Sequence, residues 1–365
     1  MGSWTADDVT LVVVVVGLRL LVPLLLPIFP LPAIIACLVI DAADQTIFQT
    51  HLSPQTWASV ESGYQGYDKA LDIYYLSMAY ISTLRNWTNL TAVATAQFLW
   101  YYRLVGVTIF ESLHDAADPS SWRWLLLVFP NTFEYFFIAY ETVRLRWDPR
   151  RMSPRAVIYL AAFIWIFIKL PQEWWIHVAE LDFTDFADEH SWVYPTIAVL
   201  VVGGILALWL NWKRLPAADW KLRIVADRLP AVPDIRPKLL SWSLFEKIVL
   251  ITLVVIIFSE ILPDTTATHL NVLVGAAFFV TVDSAYSIVV NLRRRSMLTS
   301  VYLFVGLVAL NLATAEVLHL ISDRFKIEHA LFFALLLSVI VTWYDRYRPV
   351  LDMRRGAVAV ASTDR

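Results

Sequence analysis

Residues 9–40 read VTLVVVVVGLRLLVPLLLPIFPLPAIIACLVI. As a single helix this run would measure about 48 Å at 1.5 Å per residue, against roughly 30 Å for the hydrocarbon core of a bilayer. Pro23, Pro27, Pro30 and Pro32 divide it, because proline lacks a backbone donor and its ring clashes with the preceding turn. The reading is a helix over 9–27 and a second over 32–50, with PIFPLP as the turn or kink between them. Whether both cross the bilayer decides the side of the N-terminus.

The composition carries the same message along the whole chain. Of 365 residues 58% are apolar and only 17% charged, with a mean hydropathy of +0.60. Soluble proteins carry about 25% charged and 45–50% apolar residues. Sixteen Trp, fifteen Tyr and twenty Phe suit membrane–water boundaries. A disordered chain is excluded, and the composition argues against a single soluble core. The net charge of −3 points away from a nucleic-acid partner. The single cysteine, Cys37, lies in an apolar run and reads as a small buried side chain, with no intramolecular disulfide and no cysteine-based metal centre. The N-terminal MGSWTADDVTLVVVVVGLRL lacks a basic n-region and a clear cleavage site, so it reads as a retained membrane helix.

Spans of about 20 mostly apolar residues follow at 66–86, 90–113, 122–143, 156–179, 192–212, 243–262, 269–292, 297–321 and 328–345. The expected fold is an all-α polytopic integral membrane bundle of ten or eleven transmembrane helices with no sizeable soluble domain. Basic connections after residues 143, 212 and 292 and a basic tail alternate with acidic or neutral ones such as ELDFTDFADEHSW. Lysine and arginine mark cytoplasmic loops, which places the C-terminus in the cytoplasm of a plasma (inner) membrane. Within the 213–240 loop, PAADWKLRIVADRLP has the spacing of an interfacial amphipathic helix through Trp220, Leu222, Ile224, Val225 and Leu229. Asn86 and Asn89 form sequon patterns on the cytoplasmic side, where they are chance matches.

Ionisable residues inside spans cost at least about 2.5–3.5 kcal/mol on insertion scales and therefore mark sites. They concentrate in the N-terminal half, residues 1–190, whereas 191–365 is nearly clean apart from Asp283 and a Glu316–His319 pair. Glu134 and Lys169 have matching depths on antiparallel spans, which suggests an ion pair between neighbouring helices. Asp41 and Asp44 stand at i and i+3, and Asp68 and Asp72 at i and i+4, near the expected outer ends of consecutive spans. Four carboxylates at one depth repel unless protons or a cation compensate, and hard divalent cations prefer oxygen ligands. Glu173, His177 and Glu180, at i, i+4 and i+7 on one helical face, form a candidate metal set.

The two aspartate pairs resemble those that hold Mg²⁺ and a diphosphate in integral membrane transferases, in particular the CDP-alcohol phosphotransferases, with D-x-x-D on one helix and D-x-x-x-D on the next. This chain departs from that pattern: Gln45, Thr46, Ile47 and Phe48 replace the family's Gly and Ala-Arg, the gap is longer, and the expected side is external. Membership is not assigned.

No P-loop, dinucleotide fingerprint, HExxH or nucleophile elbow is present. Three readings remain. The first is a transporter or channel-like protein whose cation- or proton-binding residues are Asp41, Asp44, Asp68, Asp72, Glu134, Lys169 and Asp283. The second is a divalent-metal-dependent membrane enzyme acting on a lipid or lipid-linked substrate, with a divalent cation as cofactor. The third is a structural subunit of a membrane complex. Expected partners are membrane lipids, a small solute or lipid substrate, and further copies or subunits.

Overall fold

The computed structural model describes residues 4–113, 122–179, 186–187, 189–229, 242–261, 286, 300–310, 312 and 327–363. Among these every regular element is helical. α1 (Ala6–Leu21) runs on through a 3₁₀ turn over Val22–Leu25, and α2 spans Pro30–His51. The division predicted at the prolines is therefore the observed one. Asp8 fixes the start of α1. It accepts from Ser53 N (3.0 Å), Ser53 Oγ (3.0 Å) and Thr56 Oγ1 (2.9 Å), tying α1 to the turn between α2 and α3.

α3 (Pro54–Asn86) has 33 residues and runs through the centre of the bundle, with α1, α2 and α4 (Leu90–Leu113) packed around it. Its second half is the core: Met78, Ala79, Tyr80, Ile81 and Leu84 are fully buried. At the junction of α3 and α4, Asn89 caps α4 through Thr91 N (3.1 Å) and Ala92 N (3.2 Å), and Asn86 donates to Pro27 O (3.1 Å). Both sequon asparagines are thus structural.

The span expected over 122–143 is broken. α5 (Trp124–Val128) ends at Pro130, and α6 (Thr132–Arg144) begins after it. Pro130 biases Phe129 out of the helical region, and Phe129 sits at φ −111°, ψ 64°. The carbonyls released by the break are taken up by α4, through Tyr102 Oη to Val128 O (3.0 Å) and Arg103 Nη1 to Phe129 O (2.8 Å). Gly106 permits this contact, since a Cβ there would lie 2.1 Å from Phe129 Cβ.

α7 (Pro154–Phe163) passes through a π-helical stretch, Ile164–Lys169, into α8 (Leu170–His177). Pro171 has no N–H to bond one turn back, and the shift to i→i−5 bonding, with Leu170 N–H reaching Trp165 O, accommodates it. α9 (Val193–Asn211), α10 (Trp242–Ile261), a shorter apolar helix α11 (Ser300–Leu310) and α12 (Ile327–Thr363) complete the described elements, with α12 and α10 both packed on α3.

Five of these segments are long and apolar enough to cross a membrane: Ala6–Leu25, Pro30–His51, Pro154–His177, Val193–Asn211 and Trp242–Ser259. The expected spans at 66–86, 90–113 and 328–345 fall on helices α3, α4 and α12, which are not among these five. Apart from residue 286, the 269–292 span lies outside the described residues.

Residues 215–229 correct the amphipathic-helix expectation. They are not helical. Their donors go to other chain segments: Asp219 N–H to Arg146 O (3.0 Å), Arg223 N–H to Leu145 O (3.0 Å) and Ala226 N–H to Ile28 O (2.8 Å). Trp220 Nε1 adds a bond to Arg144 O (3.1 Å). The segment forms a strap across the end of the bundle.

Gly106→Ala forces the α5–α6 break away from α4. The expected loss is about 1–3 kcal/mol, typical of overpacking, read as a lower melting temperature in detergent. An unchanged melting temperature would show that the close approach of Phe129 is not required.

Candidate functional site

The four aspartates do converge, and an arginine organises them. Arg19, in the last turn of α1, lies between α2 and α3 with its side chain 4% exposed. One terminal nitrogen bonds Asp44 and Asp68; the other bonds Asp41 and, at 2.7 Å, Asp72. Asp44 is the innermost of the four, and it also accepts from Tyr64 Oη (2.6 Å) and from Gln45 N–H (2.6 Å). Tyr74 Oη donates to Leu20 O (3.0 Å), which fixes the α1 backbone next to the arginine.

The cluster does not sit at helix ends. Asp41 is the twelfth residue of 22 in α2, and Asp68 and Asp72 fall in the middle of α3, because α3 starts at Pro54, a dozen residues before the expected span. Arg19 is the site residue that the sequence reading missed. The signal was available: an arginine in a valine–leucine run carries the same insertion cost that singled out the acids.

The charges do not balance. Ionised, four carboxylates and one guanidinium leave a formal −3. Carboxylate oxygens of Asp41, Asp68 and Asp72 lie within 4.8 Å of one another. At that separation two ionised carboxylates repel by about 3 kcal/mol or more, even at an effective dielectric of about 20. The three half-exposed acids therefore require protons or a further cation in addition to Arg19.

A second polar centre lies at the α5–α6 break. Glu134, buried in the first turn of α6, accepts from Tyr75 Oη (2.8 Å) and from Asn131 Nδ2 (3.0 Å). The direct partners of Lys169 are Gln172 Oε1 (3.0 Å) and Glu173 (3.5 Å), and its ammonium stands 4.5 Å above the Tyr135 ring. The expected Glu134–Lys169 pair is thus replaced by two neighbouring groups. Asn131 connects them, since its backbone N–H donates to Glu173 Oε1 (3.1 Å). The reason is local: π-helical backbone carries Lys169 into α8, where Glu173 stands one turn away on the same helix. Glu173 and His177 are 3.1 Å apart. Glu180, Asp283, Glu316 and His319 lie outside the described residues.

No protein-family model, curated protein or solved structure matches the chain.

Arg19→Met leaves the carboxylates without their cation, and stability in detergent should fall by about 3–5 kcal/mol, as when a buried pair loses one member. Adding Asp44→Asn should restore part of it, because the innermost unpaired charge goes too. Denaturant unfolding measures both variants. An Arg19→Met protein as stable as the parent would show that the carboxylates are held together by something else.

Proposed function

We propose that the chain is a multi-pass membrane protein of the plasma (inner) membrane whose Arg19-centred carboxylates bind protons or a cation, in a transporter or channel-like role. The observation that carries this reading is the placement of a net negative cluster halfway along helices α2 and α3. An ionisable group at that depth faces the bundle interior and belongs to a binding site or a conduction path. Arg19 serves as the fixed internal counter-charge. Asp41, Asp68 and Asp72, the more accessible members, exchange the proton or cation, while Asp44 holds the arginine. The proposal extends to Glu134, Lys169 and Asp283 as further proton- or cation-binding residues. The working half is residues 1–190; the half from 191 to 365 supports it, with its C-terminus in the cytoplasm.

One observation favours a second reading, a divalent-metal-dependent enzyme acting on a lipid or lipid-linked substrate. Oxygen ligands that share a Ca²⁺ at 2.3–2.6 Å are at most about 5 Å apart, and three aspartate oxygens meet that limit. Arg19 stands against it, because a guanidinium already bonded to all four carboxylates competes directly with a dication.

The test is flux. The chain is reconstituted into vesicles loaded with a pH-sensitive dye, and a proton or monovalent-cation gradient is imposed. The parent should collapse the gradient, and Asp68→Asn/Asp72→Asn should slow this at least tenfold while eluting identically on gel filtration. Equal rates in parent and variant, or no rate above empty vesicles, would contradict the proposal. Binding of Mg²⁺ or Mn²⁺ that disappears in the same variant, without flux, would select the enzyme.

A further inference from the structure

At the end of the bundle that carries the basic loops, the strap 215–229 closes over a cavity of about 150 Å³. One ordered water needs only about 10–15 Å³ on the same measure. The floor is Trp87 and Tyr140, whose ring centroids are 4.0 Å apart; the walls include Arg144, Arg150 and Arg223. Tyr140 is fully buried, and its hydroxyl has no hydrogen-bond partner. A buried hydroxyl left without a partner costs about 1–3 kcal/mol. A ligand that accepts from it would remove that cost.

The charge around the cavity selects the kind of ligand. Each wall arginine has one carboxylate: Arg144 bonds Glu141 (2.9 Å), Arg150 bonds Asp148 (2.6 Å) and Arg223 bonds Asp227 (3.2 Å). Through its hydrogen bonds to Arg150, the Asp148 carboxyl is held below the usual carboxylate range, so it stays ionised and its charge is spent on that arginine. Behind the wall stand two more guanidiniums. Arg85 Nη2 donates to Asp227 O (3.1 Å), and Arg354 donates to Trp87 O (2.8 Å) and Arg85 O (2.8 Å). Their hydrogen bonds go to carbonyl, amide and phenol oxygens, not to carboxylates. Burial, the main cause, and then the neighbouring Arg144 and Arg85 lower the Arg354 pKa. The three wall guanidiniums and the two behind them therefore outnumber the three carboxylates that pair with the wall.

We infer that this cavity binds a phosphate group, with the Tyr140 hydroxyl and the Arg223 and Arg144 guanidiniums as its donors. Arginine forks match tetrahedral oxyanions, and a phenolic hydroxyl adds a single directed bond. Leu222, Ile224 and Val225 of the strap are exposed next to the cavity. They would rest against acyl chains if the phosphate is a lipid headgroup; a soluble phosphate would need none of them. The site is separate from the Arg19 cluster, and its fate does not depend on what that cluster transports.

The experiment uses the full chain in phosphate-free detergent. Native mass spectrometry follows retention of phosphatidylglycerol and of a phosphate-free galactolipid, and thermal unfolding follows inorganic phosphate. Tyr140→Phe, which removes one oxygen and keeps the ring that forms the floor, is the diagnostic variant; Arg223→Gln, on the strap, is the second. The expected result is phosphatidylglycerol retained over the galactolipid and weakened at least fivefold in both variants, which assigns a lipid headgroup. Stabilisation by inorganic phosphate that is lost in both variants, without lipid selectivity, assigns a soluble phosphate. Without ligand, Tyr140→Phe should melt no lower than the parent. Retention and stabilisation identical in parent and variants, or absent from the parent, would overturn the inference.

Discussion

A guanidinium in the last turn of a mostly apolar helix must find acceptors, and in this chain that requirement ties the first three helices together. Arg19 recruits Asp41 and Asp44 from α2 and Asp68 and Asp72 from α3. Once it does so, the register of α1 against both neighbours is set, because a shift by one residue would rotate the guanidinium out of the cluster by about 100°. Asp8 makes the corresponding tie at the other end of α1. The two ties leave α1 free to present Val9, Val13, Val14, Leu18 and Leu21 outward, as a helix facing lipid would. The cluster thus serves assembly and leaves an excess of negative charge for other chemistry.

The helix boundaries were largely legible because proline and long apolar runs act locally. The prolines between 23 and 32 separated α1 from α2. The site was legible only in part, because its decisive contacts run between helices. The i, i+3 and i, i+4 spacing showed that each aspartate pair shares a face, but nothing local showed that Arg19 stands opposite both. The cluster's depth was also misjudged. Hydropathy places the start of a span where the chain becomes apolar, whereas α3 begins a dozen residues earlier on a polar, Ser53-capped turn.

The Glu134–Lys169 expectation failed for a related reason. Matched depth on antiparallel helices permits a pair, but Pro130 and Pro171 both distort the helices involved. The distortion gives Lys169 a partner on its own helix and gives Glu134 two neutral donors, Tyr75 and Asn131. The strap at 215–229 shows the converse. An amphipathic pattern reports the spacing of side chains but not where backbone donors will go, and here they pair with carbonyls of Leu145, Arg146 and Ile28 instead of forming a helix.

The most direct test of the account is the contact between Arg19 and its aspartates in lipid. Solid-state NMR on chain carrying ¹⁵N-arginine and ¹³C-aspartate in bilayers measures guanidinium–carboxyl dipolar couplings, and Arg19→Lys removes one arginine's share of them. The account predicts strongly coupled aspartate carboxyl signals in the parent that disappear in Arg19→Lys and shift together in Asp72→Asn. Spectra of parent and Arg19→Lys that superimpose in the carboxyl region would contradict it.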